Sequence, residues 1–128
     1  MHNLNTILNI SKNIKLLYVE DDQTTRESTL GLLNNIFTDI TLAIDGEEGL
    51  KKFSLANIKY DLIISDINIP NMNGKEMINT IQKVDDNIKI FILSAHNEIE
   101  PHGIDKVEAY LSKPIDLMKL LKEIENNF

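Results

Sequence analysis

Apolar residues gather in five short runs: "IKLLYV" (14–19), "ITLAI" (40–44), "DLIIS" (61–65), "KIFILSA" (89–95) and "AYLSK" (109–113). Each is strand-sized and rich in Ile, Leu, Val or aromatic residues. Between the runs the apolar spacing changes to three and four, which places those side chains on one face of a helix. Leu30, Leu33 and Phe37 show it in 23–37, Leu50 and Phe53 in 47–56, and Met77, Ile81 and Val84 in 75–84. The clearest stripe is the last one, Leu117, Leu120, Leu121, Ile124 and Phe128, with Asp116 ahead of it as N-cap. Strands alternating with helices predict an α/β fold, a doubly wound parallel sheet with helices on both faces. The strands are continuously apolar, as expected when both faces of a sheet are covered.

Composition narrows the function classes. With 128 residues, 42% hydrophobic and 26% charged, the chain is sized for one domain with one substantial core. The absence of cysteine excludes a disulfide framework and thiolate metal sites, and suits a reducing compartment. No apolar run approaches the roughly 18 residues of a membrane span. The start, "MHNLNTILNISKN", has no basic leader or cleavage site, so a cytoplasmic protein without membrane association is expected. Thirteen basic residues against 20 acidic ones give a net charge of −7 and no basic stripe, which argues against direct nucleic-acid binding.

In such sheets ligands bind beyond the carboxyl ends of the strands. The first strand runs into Glu20-Asp21-Asp22, the third ends on Asp66, the fourth on Ser94 and the fifth on Lys113-Pro114. Taken singly, each has a plainer reading: a capping aspartate, a solvated acidic loop, a turn serine, a surface lysine. Taken together, they predict carboxylates from two strands gathered at one edge with a hydroxyl and an ammonium. Like charges at that range repel, and a hard divalent cation with oxygen ligands relieves them. Mg²⁺ is commonly held by one or two carboxylates plus water and phosphate oxygens.

Over residues 14–128 the chain resembles the CheY-like receiver domains of two-component response regulators. The resemblance rests on "LLYVEDD", "DLIISDINIPNMNG", "ILSA" and "AYLSKP", in that order and at compatible spacings. It implies a flavodoxin-like (βα)5 fold with strand order 2-1-3-4-5. It also implies roles. Asp66 matches the phosphoacceptor, and Glu20 and Asp21 the acidic pair that holds Mg²⁺ (or Mn²⁺) with it; Asn68 adds a backbone carbonyl. Ser94 matches the switch hydroxyl, Tyr110 the switch aromatic and Lys113 the phosphate-contacting lysine. Asn68 and His96 stand where the family tunes the lifetime of the phosphoryl group. The Lys113–Pro114 peptide is expected to be cis, and Gly74 to supply backbone freedom after the acceptor strand.

Two departures stand out. Ser94 and Tyr110 are about one helical turn closer than in the family, and Pro101 and Gly103 suit a helix interior poorly. A short or irregular fourth family helix is therefore expected, and with it no dimerisation through the face many DNA-binding regulators use. Residues 1–13 form an extension in which Leu4, Ile7 and Leu8 have helical spacing, so a frayed tail or small packing helix is expected.

The resemblance implies a receiver whose Mg²⁺-dependent phosphorylation on Asp66 switches protein–protein contacts. Its partners would be a histidine kinase or phosphotransfer protein and a downstream protein target. It would not be an enzyme beyond self-catalysed phosphoryl transfer and slow autodephosphorylation. Two alternatives are a phosphorylation-independent interaction module and an aspartyl-phosphate phosphatase. The latter needs an acid two residues after its nucleophile, where this chain has Asn68.

Overall fold

Helix starts are marked in the same way throughout the chain. In the computed structural model, which describes residues 3–55, 59–67, 73–94, 104 and 106–128, every described helix has Asn or Asp at its N-cap. Asn3, Asp22, Asp45, Asn73 and Asp116 each accept a hydrogen bond from an otherwise unpartnered N–H of the first turn. The helices are α1 (Leu4–Ser11), α2 (Gln23–Leu33), α3 (Gly46–Ser54), α4 (Gly74–Val84) and α5 (Leu117–Asn127). The strands are β1 (Lys15–Val19), β2 (Asp39–Ala43), β3 (Leu62–Asp66), β4 (Lys89–Ser94) and β5 (Ala109–Ser112). All pair in parallel, as the alternation of strands and helices predicts, in the order β2-β1-β3-β4-β5 that the resemblance implies.

Alternation along the strands divides the core in two. Leu16, Tyr18, Leu62, Ile64, Phe91 and Leu93 face α1, α2 and α5, meeting Ile7, Leu33, Leu120, Leu121 and Ile124. Leu17, Val19, Ile63, Ile90 and Ile92 face the other side, where Met77, Ile78 and Ile81 of α4 cover them, with Leu50 and Phe53 of α3 against the same cluster. All five residues of β3 are buried, which is why its sequence has no polar alternation. None of the described helices is long and apolar enough to cross a membrane.

Three details refine the sequence reading. The helix expected over 23–37 stops at Leu33, where Asn34 and Asn35 follow; asparagine competes for backbone groups and holds a helix poorly. Ile36 and Phe37 remain buried beyond the stop, and the Phe37 N–H still reaches the Leu33 carbonyl at 2.8 Å. In the extension, α1 is a packed helix: Ile7 joins the first core cluster, and Ser11 Oγ donates to the Ile36 carbonyl at 2.7 Å. The link between β4 and β5, residues 95–103 and 105, lies outside the described residues. So does the expectation of an irregular helix there, together with Pro101 and Gly103.

Candidate functional site

The parallel register brings the acids together. Val19 pairs with Ser65 across β1 and β3, so Glu20, just past β1, and Asp66, the last residue of β3, leave the sheet at the same level. The Glu20 N–H continues the ladder to the Ala43 carbonyl at 3.0 Å, holding the chain extended beyond β1. Asp22 turns away from this cluster. It accepts from the Thr25 N–H at 2.8 Å as the cap of α2, and its hydrogen bonding with Thr25 holds its carboxyl below the ordinary range. Carboxylate oxygens of Glu20, Asp21 and Asp66 lie within 4.8 Å of one another.

Lys113, just past β5, completes the group. Its own N–H bonds the Ser94 carbonyl at 2.9 Å, which ties the end of β5 to the end of β4. Its ammonium lies 2.5 Å from Asp66 Oδ2 and 2.7 Å from Glu20 Oε1. The latter contact is an ion pair to a buried carboxylate oxygen. Burial raises the Glu20 carboxyl above its ordinary range, against the opposing pull of Lys113. Burial also pulls the Lys113 ammonium down, but the bonds and charges of Asp66 and Glu20 outweigh it and leave its pKa raised. Tyr18 sits wholly buried beneath, its hydroxyl pushed up to about 12 chiefly by burial.

Three carboxylates and one ammonium leave the cluster formally negative by two. Hard oxygens at this spacing, one of them buried against the Lys113 ammonium, suit a hard divalent cation. Glu20, Asp21 and Asp66 could hold it directly or through water.

The remaining predicted residues are placed as follows. Ser94 ends β4, one residue past Leu93, the register partner of Asp66, and is half-buried. Tyr110 in β5 pairs with Ile92 and packs, half-buried, against the second core cluster. The Lys113–Pro114 peptide is cis, as the resemblance implies. Asn68 and His96 lie outside the described residues.

Gly74 requires a correction. Its backbone is not in the left-handed region, so conformational freedom is not what the position needs. A Cβ there would stand 2.5 Å from the Asp66 carbonyl oxygen and 2.9 Å from Ile67 Cα. The glycine lets the start of α4 close directly onto the Asp66 end of β3. Arg26 went unnoticed in the sequence: it donates to the carbonyl of Glu20 at 2.9 Å and to that of Asp21 at 3.3 Å. A signal was present, since it is the only arginine among thirteen basic residues.

The chain is similar to known proteins in sequence and in fold. The family model described as the response regulator receiver domain matches residues 16–125. Transcriptional regulatory protein CiaR of Streptococcus pneumoniae is 31% identical over 115 residues, covering 88% of this chain and 50% of that protein. Response regulator MprA of Mycobacterium sp. (strain KMS) is 31% identical over 111 residues, covering 84% and 47%. Among solved structures, the N-terminal domain of an uncharacterized protein from Wolinella succinogenes is similar, with a TM-score of 0.76, 33% identity and coverage of 89% and 93%. The chemotaxis response regulator CheY4 of Vibrio cholerae follows, with a TM-score of 0.75, 26% identity and coverage of 90% and 98%. The chain belongs to the response regulator receiver domain family, a family of signalling domains. It spans about half the length of the curated relatives it matches.

Proposed function

We propose that this receiver accepts a phosphoryl group on Asp66, with Mg²⁺ held by Glu20, Asp21 and Asp66, and signals through altered protein contacts. One observation carries the reading: three carboxylates from two strands meet within 4.8 Å, and Lys113 bridges two of them. The donor class is the phosphohistidine of a histidine kinase or phosphotransfer protein. An Asp66 carboxylate oxygen forms the new P–O bond, the P–N bond breaks, and the departing imidazole takes up a proton. The product is an acyl phosphate.

Such transfer asks chiefly for positioning and charge neutralisation. Bound Mg²⁺ would supply the neutralising charge at the phosphoryl oxygens. Lys113 already lies against Asp66 and can follow the new oxygens with a charge-assisted hydrogen bond. The Ser94 hydroxyl, at the end of the neighbouring strand, would donate another. Phosphorylation adds about 1.5 to 2 negative charges and three strong acceptors. Drawing Ser94 inward to meet them would reshape the β4–β5 side, where Tyr110 stands. Under the same reading, Asn68 supplies a metal-binding carbonyl, and Asn68 with His96 sets the rate of phosphoryl loss.

The test is incubation with Mg²⁺ and acetyl phosphate or phosphoramidate, followed by intact-mass measurement. One added phosphoryl group is expected in the parent and none in Asp66→Asn or after EDTA. Equal labelling of the parent and Asp66→Asn would refute the assignment.

A further inference from the structure

The acidic loop is fastened from outside by a residue that no part of the proposed chemistry uses. Twelve of the thirteen basic residues are lysine, and Arg26 is the only arginine. It sits half-buried one turn past the N-cap of α2, where its own N–H bonds the Asp22 carbonyl at 2.8 Å. Its Nη1 reaches back over that turn to the carbonyls of Glu20 and Asp21, at 2.9 and 3.3 Å. Beside that backbone bond, four fastenings hold residues 20–22: the Glu20 N–H on Ala43, the Asp22 carboxylate on the Thr25 N–H, the Asp22 N–H on Glu20 Oε2 at 3.3 Å, and Arg26 Nη1 on two successive carbonyls. The first two fix the ends of the loop, the third holds the Asp21–Asp22 peptide from within, and of the four only Arg26 reaches both peptide planes between the ends.

The choice of residue fits that task. A planar guanidinium presents its N–H bonds in fixed directions, whereas an ammonium is a strongly hydrated point charge on a flexible stem. A chain that otherwise uses lysine has arginine where one side chain holds two successive carbonyls.

We propose that Arg26 is a positioning residue for the cation site, setting the peptide planes from which the Glu20 and Asp21 carboxylates project. The proposal rests on the reading that these acids bind a divalent cation. Geometry and charge make opposite demands here, which gives the test its sign. If Arg26 acts only as a nearby positive charge, it repels the cation, and its removal tightens binding. If it positions the loop, its removal weakens binding despite the charge relieved. Residues that orient metal ligands from behind typically change affinity about 10- to 100-fold when lost.

The experiment compares the parent, Arg26→Met and Arg26→Lys by isothermal titration with Mg²⁺ at constant ionic strength. Amide hydrogen exchange at Asp21 and Asp22 is measured in the metal-free proteins. Binding about tenfold weaker is expected in Arg26→Met, with a smaller loss in Arg26→Lys and faster exchange in both. Arg26→Met binding as tightly as the parent or tighter, or unchanged exchange at both amides, would overturn the proposal. Should Arg26→Met not fold, Arg26→Lys decides alone, and parent-like affinity and exchange there refute positioning. A parent that binds no Mg²⁺ refutes the underlying cation reading instead, and the exchange comparison still judges the clasp.

Discussion

Asp21→Asn should make the metal-free protein more stable while removing its response to Mg²⁺. In the parent, oxygens of Asp21, Glu20 and Asp66 lie within 4.8 Å, and Lys113 is bound to the other two acids. A like-charge pair at that distance costs about 3.5 kcal/mol at an effective dielectric of about 20. Asp21 is solvent-exposed, so screening leaves on the order of 1 kcal/mol to be relieved by the substitution. For a domain of this size that corresponds to a rise in Tm of about 3 to 6 °C. Mg²⁺ acts in the opposite order: at about tenfold its dissociation constant it should stabilise the parent by about 1.4 kcal/mol through mass action. The substituted side chain offers the same ion only a neutral amide oxygen, so the variant should gain little. Thermal unfolding with EDTA and then with Mg²⁺, against NaCl of equal ionic strength, should therefore show the two proteins exchanging rank. A variant less stable than the parent without metal, and equally stabilised by Mg²⁺, would refute the shared-ion geometry.

Three other outcomes are expected. Lys113→Met leaves buried Glu20 and Asp66 without their counter-ion and should cost about 3 kcal/mol near pH 7. A raised folded pKa gives stability that is complete below the unfolded value and lost as pH rises through the folded one. For Glu20 that window opens at about 4.5 and widens upward in the variant, so its deficit should shrink on acidification from about pH 7 toward 5, measured by urea unfolding. A deficit constant over that range would mean that Lys113 acts through packing. Gly74→Ala should cost about 1 to 3 kcal/mol, because a Cβ would meet the Asp66 and Ile67 backbone. Exposed Gly31 in α2 has nothing within 4 Å, so Gly31→Ala should instead stabilise by about 0.5 to 1 kcal/mol; like signs in denaturant titrations would contradict the packing argument. Ile7→Ala should cost about 2 to 3 kcal/mol if α1 is part of the core, whereas a loss near zero would mark α1 as a detachable tail.

Much of the site was legible because its residues carry local signals. A carboxylate at the end of a continuously apolar strand needs a reason, and Asp66, Glu20-Asp21 and Lys113 each interrupt such a run at the same end. Asp116 as a cap was readable from the stripe that follows it, and it does cap α5. Arg26 was not readable in this way. Its role depends on a side chain folding back over one helical turn onto carbonyls, and backbone acceptors leave no trace in residue identity. Gly74 was marked as special for the wrong reason, because a tight approach and a permissive backbone look alike in one dimension.

The sequence by itself determined the element types, the placement of five strands and the chemical inventory at their ends. Apolar periodicity and capping residues act over a few positions and survive without any partner element. Only the tertiary structure decided which charges meet. Parallel register sets Glu20 level with Asp66, and β5 beside β4 brings Lys113 to within 2.5 Å of a residue 47 positions earlier in the chain. It also showed α1 to be a wall of the core and Asp22 to belong to a helix cap. Coulombic and hydrogen-bond energies depend on separation in space, and separation in space is what a one-dimensional pattern does not contain.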